Sequence, residues 1–353
     1  MARRKARIPQ GKKIQPAQMT ISTSMNGNSV ATLDISQCAS LLNRRFYRQG
    51  LNWAVSGFTF LTQDAAQSGF IGVEKIPDTW ISSNSWEKGF RAWQKMNNDA
   101  LDEAESVKPR FLDYKVFMDS VHHAVGEGAN LLPFMGNPSS ALTAGEWEYS
   151  KYVVPFGPAS PGNTTDFDII WTGANFPGAG ATGADAVSLI EGYAASRGLP
   201  EILDPNAPAD AADADGSTPE NWLSALQNEG IDQDSEVLED MITENNQAPY
   251  PYENAQVPGA APGTVFTDTQ YPGGANQPVG TGAVTDSKLA IHDIVGISST
   301  TIGGTTQMRG GNFQGGLIRF DMSGLSESSN VAILIHLVPG PHRGYMCQAM
   351  QDV

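Results

Sequence analysis

The sequence predicts a mainly β protein built from two packed antiparallel sheets, and three observations lead there. Gly and Pro are abundant, at 37 and 22 of 353 residues, which favours many short strands joined by turns over a helical bundle. Charged residues make up 17% and apolar residues 40%, with 7 Trp, 14 Phe and 9 Tyr, so a sizeable core can form and global disorder is excluded. Runs of β-branched and aromatic residues recur along the chain with turn residues between them. The length allows two average domains, but sandwiches often run as one decorated unit.

From the N-terminus, residues 1–28 are polar and basic and are expected to form a flexible arm, since they have too little apolar surface to offset their ordering entropy. Residues 29–353 form the body. Ser29–Asp34 can enter a sheet, and Ile35–Arg48 has helical spacing with Asp34 placed to cap its start. On that helix Arg44, Arg45 and Arg48 fall within about one turn, facing either nucleic acid or acids of the same or a neighbouring subunit. LNWAVSGFTFLT at 51–62 has the composition of a buried strand.

Ser85–Ala104 places Trp86, Phe90, Trp93, Met96 and Leu101 along one helical face. These aromatics are expected in the core or against a neighbouring subunit, ahead of any stacking on nucleotides. Pro109 ends the pattern, and FLDYKVFMDSVHH at 111–123 alternates as a half-buried strand would. Further strands are expected at 149–157, 166–173, 288–298, 315–322 and 331–339. That makes about eight, the number a single jelly-roll β-sandwich needs, with short helices and long loops inserted between strands.

Residues 198–287 hold 16 Asp and Glu and no Lys or Arg. This segment is expected as an acidic loop insertion between strands, on the outer surface or at subunit edges, because it has little to bury. Ser217 and Glu220 bracket a capping box before Trp222, and Glu236–Asn245 has the pattern of a second short helix. Clustered carboxylates there suit a divalent cation such as Ca²⁺; no other cofactor is expected.

The net charge of −16 hides an asymmetry. Residues 1–33 carry Arg3, Arg4, Lys5, Arg7, Lys12 and Lys13 and no acid, so the rest of the chain is at −22. A run of six cations in thirteen residues is a tether for phosphates without base selectivity, and it also fits a nuclear localisation signal. Cys38 and Cys347 are the only cysteines, so no disulfide framework is implied. No apolar stretch has the length of a signal peptide or membrane span, and a cytosolic or nuclear place away from membranes is expected.

Enzymatic motifs give little. Read in a strand, His122 and His123 point to opposite faces and cannot chelate one metal, so they are expected at the surface or in packing. His336 and His342 could meet Asp293 only through the fold. Glu146 and Glu148 flank Trp147 and, on a strand, would share a face as a glycosidase pair does. GxSxG, HExxH and Walker A patterns are absent.

The basic arm, the β-rich body and the lack of catalytic motifs together resemble the coat proteins of small circular Rep-encoding single-stranded DNA viruses. AILIHLVPGPHRGYMCQAM at 332–350 and DTWISSNSWEKGFRAWQKMN at 78–97 are the segments most similar to such proteins. The resemblance implies a non-enzymatic virion protein whose subunits form an icosahedral shell of about sixty copies. It also implies that the arm points inward onto the DNA genome, with assembly in the host nucleus or cytoplasm. The arm here is short and the body acidic, unlike many such proteins. Two other classes compete: a secreted carbohydrate-active β-sandwich enzyme using Glu146 and Glu148, and a cellular binding module or phage decoration protein.

Overall fold

The computed structural model describes residues 17–62, 68–102, 113–136, 140–155, 163–175, 179–195, 288–298, 304–327 and 329–353. The basic run at 3–13 and the acidic stretch at 198–287, with its two expected helices, lie outside them.

Two antiparallel sheets form the β body. One contains β1 (Thr20–Asn26), β11 (Asn330–Leu337), β3 (Leu51–Thr62) and β9 (Thr305–Phe313), in that order. The other runs β2 (Val30–Asp34), β10 (Leu317–Ser323), β4 (Gly69–Lys75), β8 (Ala290–Ile297). Alternation accounts for the packing: Val331, Ile333, Ile335 and Leu337 of β11 point inward, as do Trp53, Val55, Phe58 and Phe60 of β3. They meet Ile71, Val73, Ile318 and Phe320 from the other sheet. Phe58 packs edge-on against Phe313 and Phe320 at 5.6 and 6.0 Å, the geometry the ring quadrupoles favour.

The sequence reading of 51–62 coincides with β3, and those at 29–34, 288–298, 315–322 and 331–339 fall on β2, β8, β10 and β11. The expected arm of residues 1–28 is shorter than read, because Thr20–Asn26 pairs with β11 from Thr20 opposite His336 to Asn26 opposite Asn330. Ile21 and Met25 are its only buried apolar side chains.

Between β4 and β8 the described residues from 76 to 195 leave the sandwich and carry their own elements. They include α2 (Trp80–Asp102), α3 (Ser120–Val125), β5 (Lys151–Pro155), β6 (Thr164–Ile170), β7 (Asp185–Ser188) and α4 (Leu189–Ala195). β5 pairs antiparallel and β7 parallel to β6. A second core forms here from Ile81, Trp86, Tyr114, Tyr152, Phe167 and Trp171. Helix α2 crosses α4 closely at Gly89, where a Cβ would lie 2.5 Å from Leu189 and 2.9 Å from the Tyr114 hydroxyl. The expected strand at 111–123 is corrected: 113–118 is irregular apart from one bridge, Phe117 to Ile170, and Ser120–Val125 is helical.

That excursion is fastened to the outer face of the second sheet by buried polar contacts. Arg319 of β10 is 2% exposed, donates to Thr32 Oγ1 at 3.0 Å, and pairs with Asp119, itself 1% exposed. The same Asp119 oxygen accepts from the His122 N–H and so caps α3. Gln49 spans the seam like a strand residue, accepting from Val116 N at 2.7 Å and donating to Val116 O and Asp34 Oδ2. The remainder of the face stays open: Val30, Phe70, Ile291 and Ile294 are 52%, 61%, 63% and 53% exposed. Register places all four on the outward side, with Val30 opposite Asp321, Asp321 opposite Gly72, and Gly72 opposite Ile294.

Truncating Arg319 would strand the Asp119 carboxylate without a counter-charge. Arg319→Ala is expected to lower stability in urea titrations by about 3–5 kcal/mol, whereas Arg319→Met with Asp119→Leu should cost far less, since the pair's own desolvation is then avoided.

Candidate nucleic-acid interface

Helix α1 (Ile35–Asn43) starts as read, with the Asp34 carboxylate accepting from Ser36 and Gln37 N–H at 2.8 and 3.2 Å. It ends five residues before Arg48, because Arg44 turns left-handed at φ 51° and returns its N–H to the Ser40 carbonyl. The expected helical placement of the three arginines is therefore corrected. Arg44, Arg45 and Arg48 lie in the turn leading to β3, and all three are exposed.

A second turn packs against this one. β12 (Pro339–Gly340) and β13 (Gly344–Tyr345) form a tight hairpin with Arg343 at its tip, also left-handed at φ 51° and exposed. The Arg343 guanidinium donates to the Phe46 carbonyl, and the Tyr47 hydroxyl donates to the Arg343 carbonyl at 3.1 Å. Beneath both turns Tyr47, Trp53 and Tyr345 form a buried aromatic triangle with centroids 5.3 to 5.9 Å apart. Trp53 completes its polar needs by donating to Ser36 Oγ at 3.1 Å. Four arginines thus share one end of the sandwich on a rigid base. No described carboxylate forms an ion pair with Arg44, Arg48 or Arg343.

The N-terminal arm leaves from the same place. Gln18 donates its N–H to Asn43 Oδ1 at 2.9 Å and its carbonyl accepts from the Tyr345 hydroxyl at 2.6 Å. Asn43 Nδ2 donates to that hydroxyl at 2.7 Å. Arg3, Arg4, Lys5, Arg7, Lys12 and Lys13 lie outside the described residues, but the chain that carries them enters the fold at Gln18, bonded to Asn43 and Tyr345 of the two arginine turns. Sequence reasoning missed Arg343; the Pro341–Gly344 turn signal around it was visible, its proximity to Arg44 was not.

The other singled-out residues fall elsewhere. His122 and His123 are both buried on α3, not in a strand. Burial, reinforced by the Arg319 charge, pushes His122 down to about 4. His123 Nε2 is 2.9 Å from Asp168. His336 lies between the Thr20 and Thr59 hydroxyls, and Asp293 instead sits 3.9 Å from Arg309. Glu146 and Glu148 are exposed on an irregular segment either side of buried Trp147, so the shared strand face imagined for them is absent. Trp86 is buried, while Phe90 and Trp93 are half-buried against the second core. Among the described residues no group of three or more His, Cys, Asp or Glu is arranged to hold a metal, and no helix is long and apolar enough to cross a membrane. Cys38 and Cys347 are free thiols.

Arg44→Gly with Arg45→Ala and Arg48→Ala removes three exposed cations and keeps the left-handed turn. In the full chain this variant should reduce the slope of log affinity for single-stranded DNA against log salt by up to about 2. Its melting temperature should stay near that of the parent.

Comparison with protein-family models, curated proteins and solved structures finds no match to this chain.

Proposed function

We propose that this chain is a jelly-roll coat subunit that assembles with copies of itself into a closed shell around single-stranded DNA. Pairing of the eight sandwich strands supports the jelly-roll part. First pairs with last, second with seventh, third with sixth and fourth with fifth, and every link between consecutive strands crosses from one sheet to the other except that from fourth to fifth, which pair within one sheet. A single long hairpin rolled into two layers has this order. The described elements from α2 to α4 then stand between the fourth and fifth strands, at the hairpin's apex.

The observation that carries the functional reading is the attachment of Gln18, which follows the basic run, to Asn43 and Tyr345 beside the two arginine turns. An otherwise acidic body places four exposed arginines, Arg44, Arg45, Arg48 and Arg343, where the chain bearing the densest cationic run enters the fold, as a phosphate-binding face requires. That end faces the genome. The apolar patch of Val30, Phe70, Ile291 and Ile294 supplies a second requirement, a surface for neighbouring subunits, since clustered exposed apolar side chains mark contact sites. The same patch also suits a decoration protein seated on a foreign lattice; such a protein would form no particles alone.

The test is to purify the full chain and a version beginning at residue 14, then examine both by electron microscopy and by absorbance at 260 and 280 nm after nuclease treatment. Both should form closed particles, because the deleted segment has almost no apolar surface to contribute to the fold. The shortened particles should protect less DNA. Phe70→Asp should abolish particles while leaving a folded subunit. Equal protected DNA in both chains would refute the arm's role, and isolated monomers from the full chain would refute the shell.

A further inference from the structure

The strongest unassigned feature is a cleft of about 450 Å³ between α2 and the two arginine turns. Its size falls within the range of small-ligand sites, roughly 300–1,000 Å³. Phe46 borders it from the first arginine turn, and Trp86, Phe90 and Tyr114 border it from the excursion. Trp86 and Phe90 stack at 5.2 Å and 12° and both border the cleft, forming an aromatic wall that suits another planar ring. Exposed Arg48 and Arg343 border the same cleft.

We propose that this cleft takes one unstacked base of a single-stranded polynucleotide, with the adjoining phosphates on Arg48 and Arg343, so that the cationic end prefers single strands to duplexes. The inference rests on the nucleic-acid reading above and adds strand selectivity to it. Arginines alone would bind either form, because phosphate contacts carry no information about pairing. A concave aromatic site does discriminate: a duplex base must first be unpaired and unstacked, at a cost of a few kcal/mol. Planarity without sequence preference is the expected readout, since every base presents a π face. Asp113 also borders the cleft, with Lys115 3.8 Å from its carboxylate. Burial raises that carboxyl to about 7, so near neutral pH it opposes the phosphates only weakly.

Phe46→Leu and Phe90→Leu, each in the full chain, test the proposal with a fluorescent oligothymidine and a duplex of equal length as probes. Loss of one stacked base should weaken oligothymidine binding roughly 5- to 150-fold, with duplex affinity and the salt slope unchanged. Phe46 lies in a turn outside the second core, so it carries the test if Phe90→Leu loosens α2. Equal weakening for both probes, or none for either, would overturn the cleft's role while leaving nucleic-acid binding in place. A parent chain that binds neither probe would overturn both readings together.

Discussion

The buried guanidinium of Arg319 determines how the two halves of this chain are joined. It stands on the outward face of a sheet strand, where water would solvate it if the segment carrying Asp119 did not cover it. Both it and Asp119 are removed from water, and attraction between them outweighs that cost only when the remaining donors and lone pairs find partners. Thr32 takes one donor and Asp119 Oδ1 also caps α3, while the buried Asp119 Oδ2 accepts no hydrogen bond among the described residues. One turn further on, His122 must remain neutral beside this cation. Its Nδ1 accepts from Met118 N–H, so the ring proton resides on Nε2 and is donated to Asn130 Oδ1 at 2.7 Å. Asn130 then donates to Gln37 of α1 and to Tyr149. The ion pair and the hydrogen bonds around it therefore tie together the excursion, the imidazole and the helix that leads to the arginine turn.

Strand pairing imposes the second constraint, and it brings the cationic end together. Because β1 runs antiparallel to β11 with Thr20 opposite His336, residues before 20 must meet residues after 337. Because β3 pairs with β11 with Val55 opposite Leu337, the residues that enter β3 arrive at the same end. The arm root, the turn at 44–48 and the turn at Arg343 are neighbours as a consequence of register. β14 (Cys347–Ala349) seals this arrangement by continuing along the β3 edge that β11 leaves, with Cys347 opposite Trp53. Nearly all these contacts join distant parts of the chain, so loop-closure entropy makes slow folding the expected behaviour.

Sequence patterns revealed what local chemistry decides. β3 was readable to the residue because β-branched and aromatic side chains crowd it, and the start of α1 because Asp34 is a natural cap. β4 and β9 escaped notice: GFIGVEK and TTQMRGGNF each contain two glycines and few large apolar groups, and they are strands through their neighbours. The misreading of 111–123 has a different origin. Its apolar residues are divided between two cores, with Tyr114, Val116 and Met118 in one and Phe117 in another, and such division imitates strand alternation. For the candidate site, the three arginines at 44–48 were readable as a local cluster. Arg343 and the Gln18 anchor were not, since only the pairing of β1 with β11 makes them neighbours.

We propose that strand register alone brings together the two arginine turns and the entry of the N-terminal chain as one nucleic-acid-binding end. Ultraviolet cross-linking of bound oligothymidine to the full chain, followed by mass mapping of the modified peptides, tests it most directly. Adducts should fall within residues 1–16, at Phe46 and its neighbours, and across the turn at 341–346. Adducts confined to the outer face of the second sheet around Phe70 and Ile294, with none at the arginine turns, would contradict it.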